Sequence, residues 1–143
     1  EYGAMLGACF DGHPWNANEQ VTIRVERPDD PIAAPFGRDP FSIQEEVYQF
    51  KDPYPLDAHQ RRVLLRLDTK RTDMKKEGIH RADGEFALAW TKEYGSGRVF
   101  YTALGHNEGV WKDPRFQSHL LEGIRWALAA RAPATQPLGP PRR

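Results

Sequence analysis

The segment FALAWTKEYGSGRVFYTALGHNEGVW, Phe86 to Trp111, carries the clearest fold signal in the chain. Two β-rich runs, 86–94 and 98–105, flank Gly95-Ser96-Gly97. Glycines supply the positive φ angles of a tight turn, so the segment predicts a β-hairpin. The G-x-G there is not a nucleotide loop. It lacks the third glycine and sits between two strands, where that motif needs a strand followed by a helix. The second strand ends at Gly105-His106, and a short connection leads to Asp113-Pro114. Asp as N-cap and Pro at the first helical position predict a helix start. Phe116, Leu120, Ile124 and Leu128 then recur every four residues, with Leu121 and Ala127 beside them, as the apolar face of that helix.

Upstream, YGAMLGACF (2–10) has a short helical apolar face broken by two glycines, and DGHPW reads as a turn. Val21, Ile23 and Val25 alternate with Thr22, Arg24 and Glu26, which predicts a half-buried strand. Residues 28–40 contain four prolines and predict loop, with a short turn at Ile32. FSIQEEVYQF (41–50) fits one strand or two short ones. KDPYPLDAH (51–59) reads as loop, RVLLRLD (62–68) as strand, and 68–84 as polar loop. The proline-rich segment 131–143 predicts a disordered tail after a domain over 1–130.

The 143 residues suffice for one domain with its own core. Twenty basic and twenty acidic side chains cancel, which gives no electrostatic case for nucleic acid or an anionic membrane. No apolar run is long enough to span a bilayer. A single cysteine, Cys9, precludes an intrachain disulfide and fits a reducing, cytoplasmic setting. Its apolar surroundings predict a buried structural thiol. There is no C-x-x-C, H-E-x-x-H, P-loop or G-x-S-x-G.

EEVYQFKDPY (45–54), RVLLRLD, HRADGEFALAWTKEYGSGRVFYTALGHNEGVWKDPRF and HLLEGIRWAL occur in that order. Together they resemble the ThuA-like, or trehalose utilisation, family, as does the opening YGAMLGACFDGHPW. The G-R-V-F-Y-x-x-L-G-H-x-x-x-x-W run is the specific part. The resemblance implies a class I glutamine-amidotransferase-like α/β fold: a flavodoxin-like, mainly parallel sheet with flanking helices. It also implies that this chain is the C-terminal part of a longer domain whose first strand–helix units would precede Glu1.

Ligands of open α/β sheets bind beyond the carboxyl ends of strands, and His106 stands there. The bland alternative is a loop histidine bonded to a carbonyl. Trp111 either walls a sugar pocket or packs on the last helix. Glu46 and Tyr48 match the family's acidic-Glu-x-Tyr segment, which implies a base, a metal ligand or a sugar-hydroxyl acceptor; Glu45 reads as the exposed neighbour. His13 in DGHP reads as reaching the same cleft. The set His13, Glu46 and His106 has the donor types for a divalent metal such as zinc, although sequence spacing lends this no support. Arg81 reads as a loop salt bridge before it reads as a substrate contact. His59, His80 and His119 read as bland. The His-x-Glu at 106–108 lacks the nucleophile elbow of an amidotransferase triad, so glutamine hydrolysis is disfavoured. The expected partner is a small-molecule carbohydrate, trehalose-like or its keto derivative, turned over by His/Glu proton transfer. The alternative is a sugar-binding or partner-docking module without catalysis. A homo-oligomer is compatible with either.

Overall fold

A computed structural model describes residues 1–51 and 61–129. The loop expected over 51–59, with His59, and the tail expected over 131–143 therefore lie outside the described residues, Lys51 excepted. The described elements are α1 (Tyr2–Leu6), β1 (Gln20–Val25), a 3-10 turn (Ala34–Phe36), β2 (Phe41–Gln44), β3 (Arg62–Leu67), β4 (Ala87–Tyr94), β5 (Gly97–Thr102), α2 (Glu108–Lys112) and α3 (Pro114–Leu128).

Helices and strands share one fold, as expected, but the sheet is not the parallel one expected. Five strands run in the order β2-β1-β3-β4-β5, and every neighbouring pair is antiparallel. The reason is in the connections. A parallel pair needs a crossover of a dozen or more residues, usually helical. Here β4 and β5 meet through Gly95-Ser96 alone, with Tyr94 paired to Gly97 and Gly95 at φ 57°. Between β1 and β2 the described chain forms only the 3-10 turn, whose Pro35 and C-capping Gly37 stop it after Phe36. The long helix, α3, comes after the last strand and cannot serve as a crossover.

One sheet face packs on α3 and the 3-10 turn through Ile23, Leu65, Phe36, Phe116 and Leu104, with Phe41 and Phe100 beside them. A second cluster, Ala8, Phe50, Ala87 and Trp90, lies under α1 with Tyr101 against it. Successive strand residues face opposite ways, so Phe100 and Tyr101 belong to different layers.

Asp113 caps α3 as read: its carboxylate accepts from the Arg115 N–H at 2.8 Å, and Pro114 is the first helical residue. The apolar face is corrected. Phe116, His119 and Gly123 are buried, whereas Leu121, Ile124 and Leu128 are exposed. Gly123 sets that rotation. A Cβ there would stand 2.2 Å from the Phe100 ring, so the helix backbone rests directly on β5. The contact stripe therefore runs 116, 119, 123, with Trp126 half-buried beyond it. His119 is less bland than its sequence suggests. It has no exposure, and its Nδ1–H donates to the Ile32 carbonyl at 2.7 Å. Phe36, Phe100 and Phe116 surround its ring, and its Nε2 is buried without a partner.

Candidate functional site

Residues 9–15 run alongside 47–51 as an irregular antiparallel pair. Val47 N–H donates to the Trp15 carbonyl at 3.0 Å, Gln49 N–H to Gly12 at 2.9 Å, and Lys51 N–H to Cys9 at 2.9 Å. This pairing carries the DGHP turn past EEVY and sets His13 beside Glu46. From the far end of the sheet, the turn after β5 brings His106 to the same carboxylate. His13 Nδ1 lies 3.7 Å from Glu46 Oε2, and His106 Nδ1 lies 3.5 Å from Glu46 Oε1. The carboxylate is 14% exposed and both imidazoles 47%, so a largely covered acid is flanked by two half-exposed rings. These three expected site residues are thus together.

Glu45, expected at the surface, is fully buried. The parity of the segment explains it: Ile43, Glu45, Val47 and Gln49 turn to the inner face, while Glu46 and Tyr48 turn outward to the cleft. A buried carboxylate must be paired or hydrogen-bonded, and Glu45 meets that need with backbone. It accepts from His106 N–H at 2.9 Å, Gly105 N–H at 3.3 Å and Asn107 N–H at 3.3 Å, and from its neighbour Glu46 N–H at 3.1 Å. The Asn107 amide ties the same turn to the Ala17 carbonyl at 2.7 Å and to Gln44 at 2.9 Å. One acidic side chain thus clasps the His106 turn while its neighbour faces the imidazole. Sequence reading missed Glu45 and Asn107 as site-builders; inward Ile43 and Val47 were the available signal for the first.

Trp111 braces this turn. Its indole N–H donates to the Gly105 carbonyl at 2.7 Å, its ring meets Phe116 edge-on at 5.3 Å, and half of it faces solvent. Gly105 sits at φ 112°, which strains any other residue, and a Cβ there would press on Phe116 at 3.1 Å and meet Trp111 at 3.4 Å.

Tyr48 shares the Glu46 face, close enough for that carboxylate to act on its phenol. Burial, and then the Glu46 charge, push the phenol above its usual value. Phe10 meets Tyr48 edge-on at 5.1 Å and stacks toward His13 at 6.4 Å. Cys9, expected buried, is exposed here. The stretch around it is a rim and not a core strand, because Gly7, the C-cap at φ 81°, ends α1 before it reaches Cys9. His80 pairs with Asp11 at 3.0 Å. Arg81 makes a two-pronged contact with Asp83 and also donates to the Phe50 carbonyl at 2.8 Å.

Among the described residues, no group of three or more His, Cys, Asp or Glu side chains is arranged to hold a metal ion. A cavity of about 620 Å³ lies away from the cluster, between residues 26–32 and the end of α3. Two of its charge pairs are internal, Arg62 with Asp30 and Arg125 with Glu122.

The family model described as trehalose utilisation, ThuA, matches residues 1–127. A crystal structure of a ThuA-like protein from Bacteroides uniformis ATCC 8492 matches with a TM-score of 0.63 at 20% identity. That match covers 87% of this chain and 49% of the other, so the chain spans about half the length of that structure. None of the curated proteins matches it. No described helix is long and apolar enough to cross a membrane.

Proposed function

The chain belongs to the ThuA, or trehalose utilisation, family, and from that premise we propose that it turns over trehalose-like disaccharides or their keto derivatives by proton transfer. The observation that supports this most is Glu46, a largely covered carboxylate with an imidazole beside each oxygen. Carboxylate and imidazole within reach of one reacting group are the usual instruments of general acid–base catalysis.

In this reading a keto-sugar carbonyl lies against the cluster. Glu46 takes the proton from the carbon next to that carbonyl. A protonated imidazole, His106 or His13, gives a proton to the carbonyl oxygen. The product is an enediol. Return of a proton to the former carbonyl carbon, with loss of one from the neighbouring hydroxyl, completes an isomerisation. Alternatively, the enediol collapses and expels the second sugar from the adjacent carbon, which is a lyase outcome. Two imidazoles let one donate while the other accepts. Tyr48 stands beside Glu46 on the same face, and Glu45 holds the turn that presents His106. A divalent ion such as zinc would need both rings and the carboxylate aimed at one point; no step here is routed through one. Hydrolysis of glutamine finds no support, since Cys9 stands on no nucleophile elbow.

The test is turnover of a 3-keto-disaccharide by the protein and its Glu46→Gln and His106→Gln variants. Loss of a general acid or base lowers kcat by about 10²- to 10⁴-fold. Unchanged turnover in both would overturn the assignment. Sugar affinity with no turnover in the wild type would replace it with the binding-module reading.

A further inference from the structure

Beside the cluster runs a groove of about 560 Å³ that the acid–base step leaves unused. Its walls include Tyr2, Phe10, Tyr48, Phe50 and Tyr101, with Cys9 on the rim. Resting on the disaccharide reading above, we propose that this groove holds the second, non-reacting pyranose ring of the substrate.

Continuity comes first. Groove and cluster share a wall: Phe10 stacks toward His13, and Tyr48 lines the groove close enough to Glu46 for that carboxylate to act on its phenol. A ring whose partner lies at Glu46 would have to pass along Phe10 and Tyr48. Chemistry comes second. A pyranose has apolar C–H faces and a hydroxyl rim, and tyrosine offers the same combination of apolar body and polar tip. Burial among rings, with Tyr48 and Tyr2 close by, pushes the Tyr101 phenol up to about 12. A phenol so raised stays protonated and serves as a neutral donor to a sugar oxygen. Rigidity comes third. Tyr101 stacks on Trp90 at 4.2 Å and 22°, with Phe50 edge-on at 5.9 Å, so one wall is already built. Charge decides between sugars. None of the lining residues is charged, so a neutral ring is matched and a sugar phosphate is not.

Cys9 is the chain's only cysteine and an exposed one, which makes it a built-in reporter. The experiment measures the rate of its alkylation by iodoacetamide, with saccharide affinities fixed separately by calorimetry. Trehalose at about ten times its Kd slows labelling about tenfold, in proportion to the free protein left. Glucose at the same multiple of its own Kd fills only the reacting subsite and leaves the rate unchanged. Phe10→Ala, which removes a half-exposed ring, abolishes the trehalose protection. Trehalose that binds by calorimetry yet leaves Cys9 labelling untouched would overturn the subsite while leaving the proposed function standing. Slowing that follows protein concentration and not sugar would overturn it too, and assign the groove to a second copy of the chain. Absence of any saccharide binding would instead remove the disaccharide reading itself, and the subsite with it.

Discussion

Replacing Glu45 by glutamine is the perturbation that reaches deepest into the site without touching a reacting group. The side chain keeps its shape but loses its charge and one acceptor oxygen. Four backbone N–H groups, those of Glu46, Gly105, His106 and Asn107, now converge on this carboxylate, at 2.9 to 3.3 Å. After the change one oxygen serves them, and the new amide NH₂ faces donors with a donor. Hydrogen bonds to a charged group contribute about 1.5–3 kcal/mol each, and a stranded buried donor costs about 1–3 kcal/mol. Asn107 and Gly105 are only half-buried, so water relieves part of the loss. The net destabilisation comes to about 3 kcal/mol, or about 10 °C in Tm for a chain of this size. Urea unfolding should show a lower midpoint at unchanged m, which assigns the loss to stability rather than to compactness. The His106 ring resonances should move while those of His80 stay put. Glu108→Gln, on a 93% exposed side chain, is the control and should shift nothing. An E45Q protein as stable as the wild type, with His106 undisturbed, would refute the clasp.

Further outcomes follow from the core and from α3. Burial holds His119 at about 4, against the Ile32 carbonyl and Asp30, which act the other way. The unfolded chain therefore takes up its proton near 6.5 and the folded one only near 4. Stability is complete above pH 6.5 and falls by about 3 kcal/mol as pH drops to 4; His119→Leu should flatten that slope in unfolding measured across this window. Gly123→Ala drives a methyl into the Phe100 ring; overpacking of this kind costs about 1–3 kcal/mol, and the double variant with Phe100→Leu should recover part of it in thermal unfolding.

Some of this molecule was legible in its sequence, and the failures have physical causes. The hairpin at 86–105, the β1 alternation and the Asp113-Pro114 cap are local signals, written within a few residues of where they act. Strand direction is not local. It depends on whether a helix joins consecutive strands, and the family resemblance points to a parallel sheet although the described residues between β1 and β5 form no α-helix. The face of α3 is not legible in hydropathy, because glycine has none to count, yet Gly123 is the residue that seats the helix on Phe100. The burial of Glu45 is hidden in the sequence because its charge argues for solvent. Strand parity argued for the interior, and three backbone donors from a turn sixty residues away made the interior tolerable. His13, Glu46 and His106 were named from residue type and resemblance. Their meeting depends on the pairing of 9–15 with 47–51, which no spacing rule in the sequence reveals.

The central claim is that Glu46, between two imidazoles, moves a proton on a sugar carbon. Incubating the protein with a 3-keto-disaccharide in D₂O and following the carbon-bound protons by NMR tests it most directly. The account predicts deuterium at the carbon beside the ketone with the wild type, and its loss with Glu46→Gln at unchanged sugar affinity. Exchange that proceeds equally in the Glu46→Gln protein, or turnover without any exchange, would contradict it.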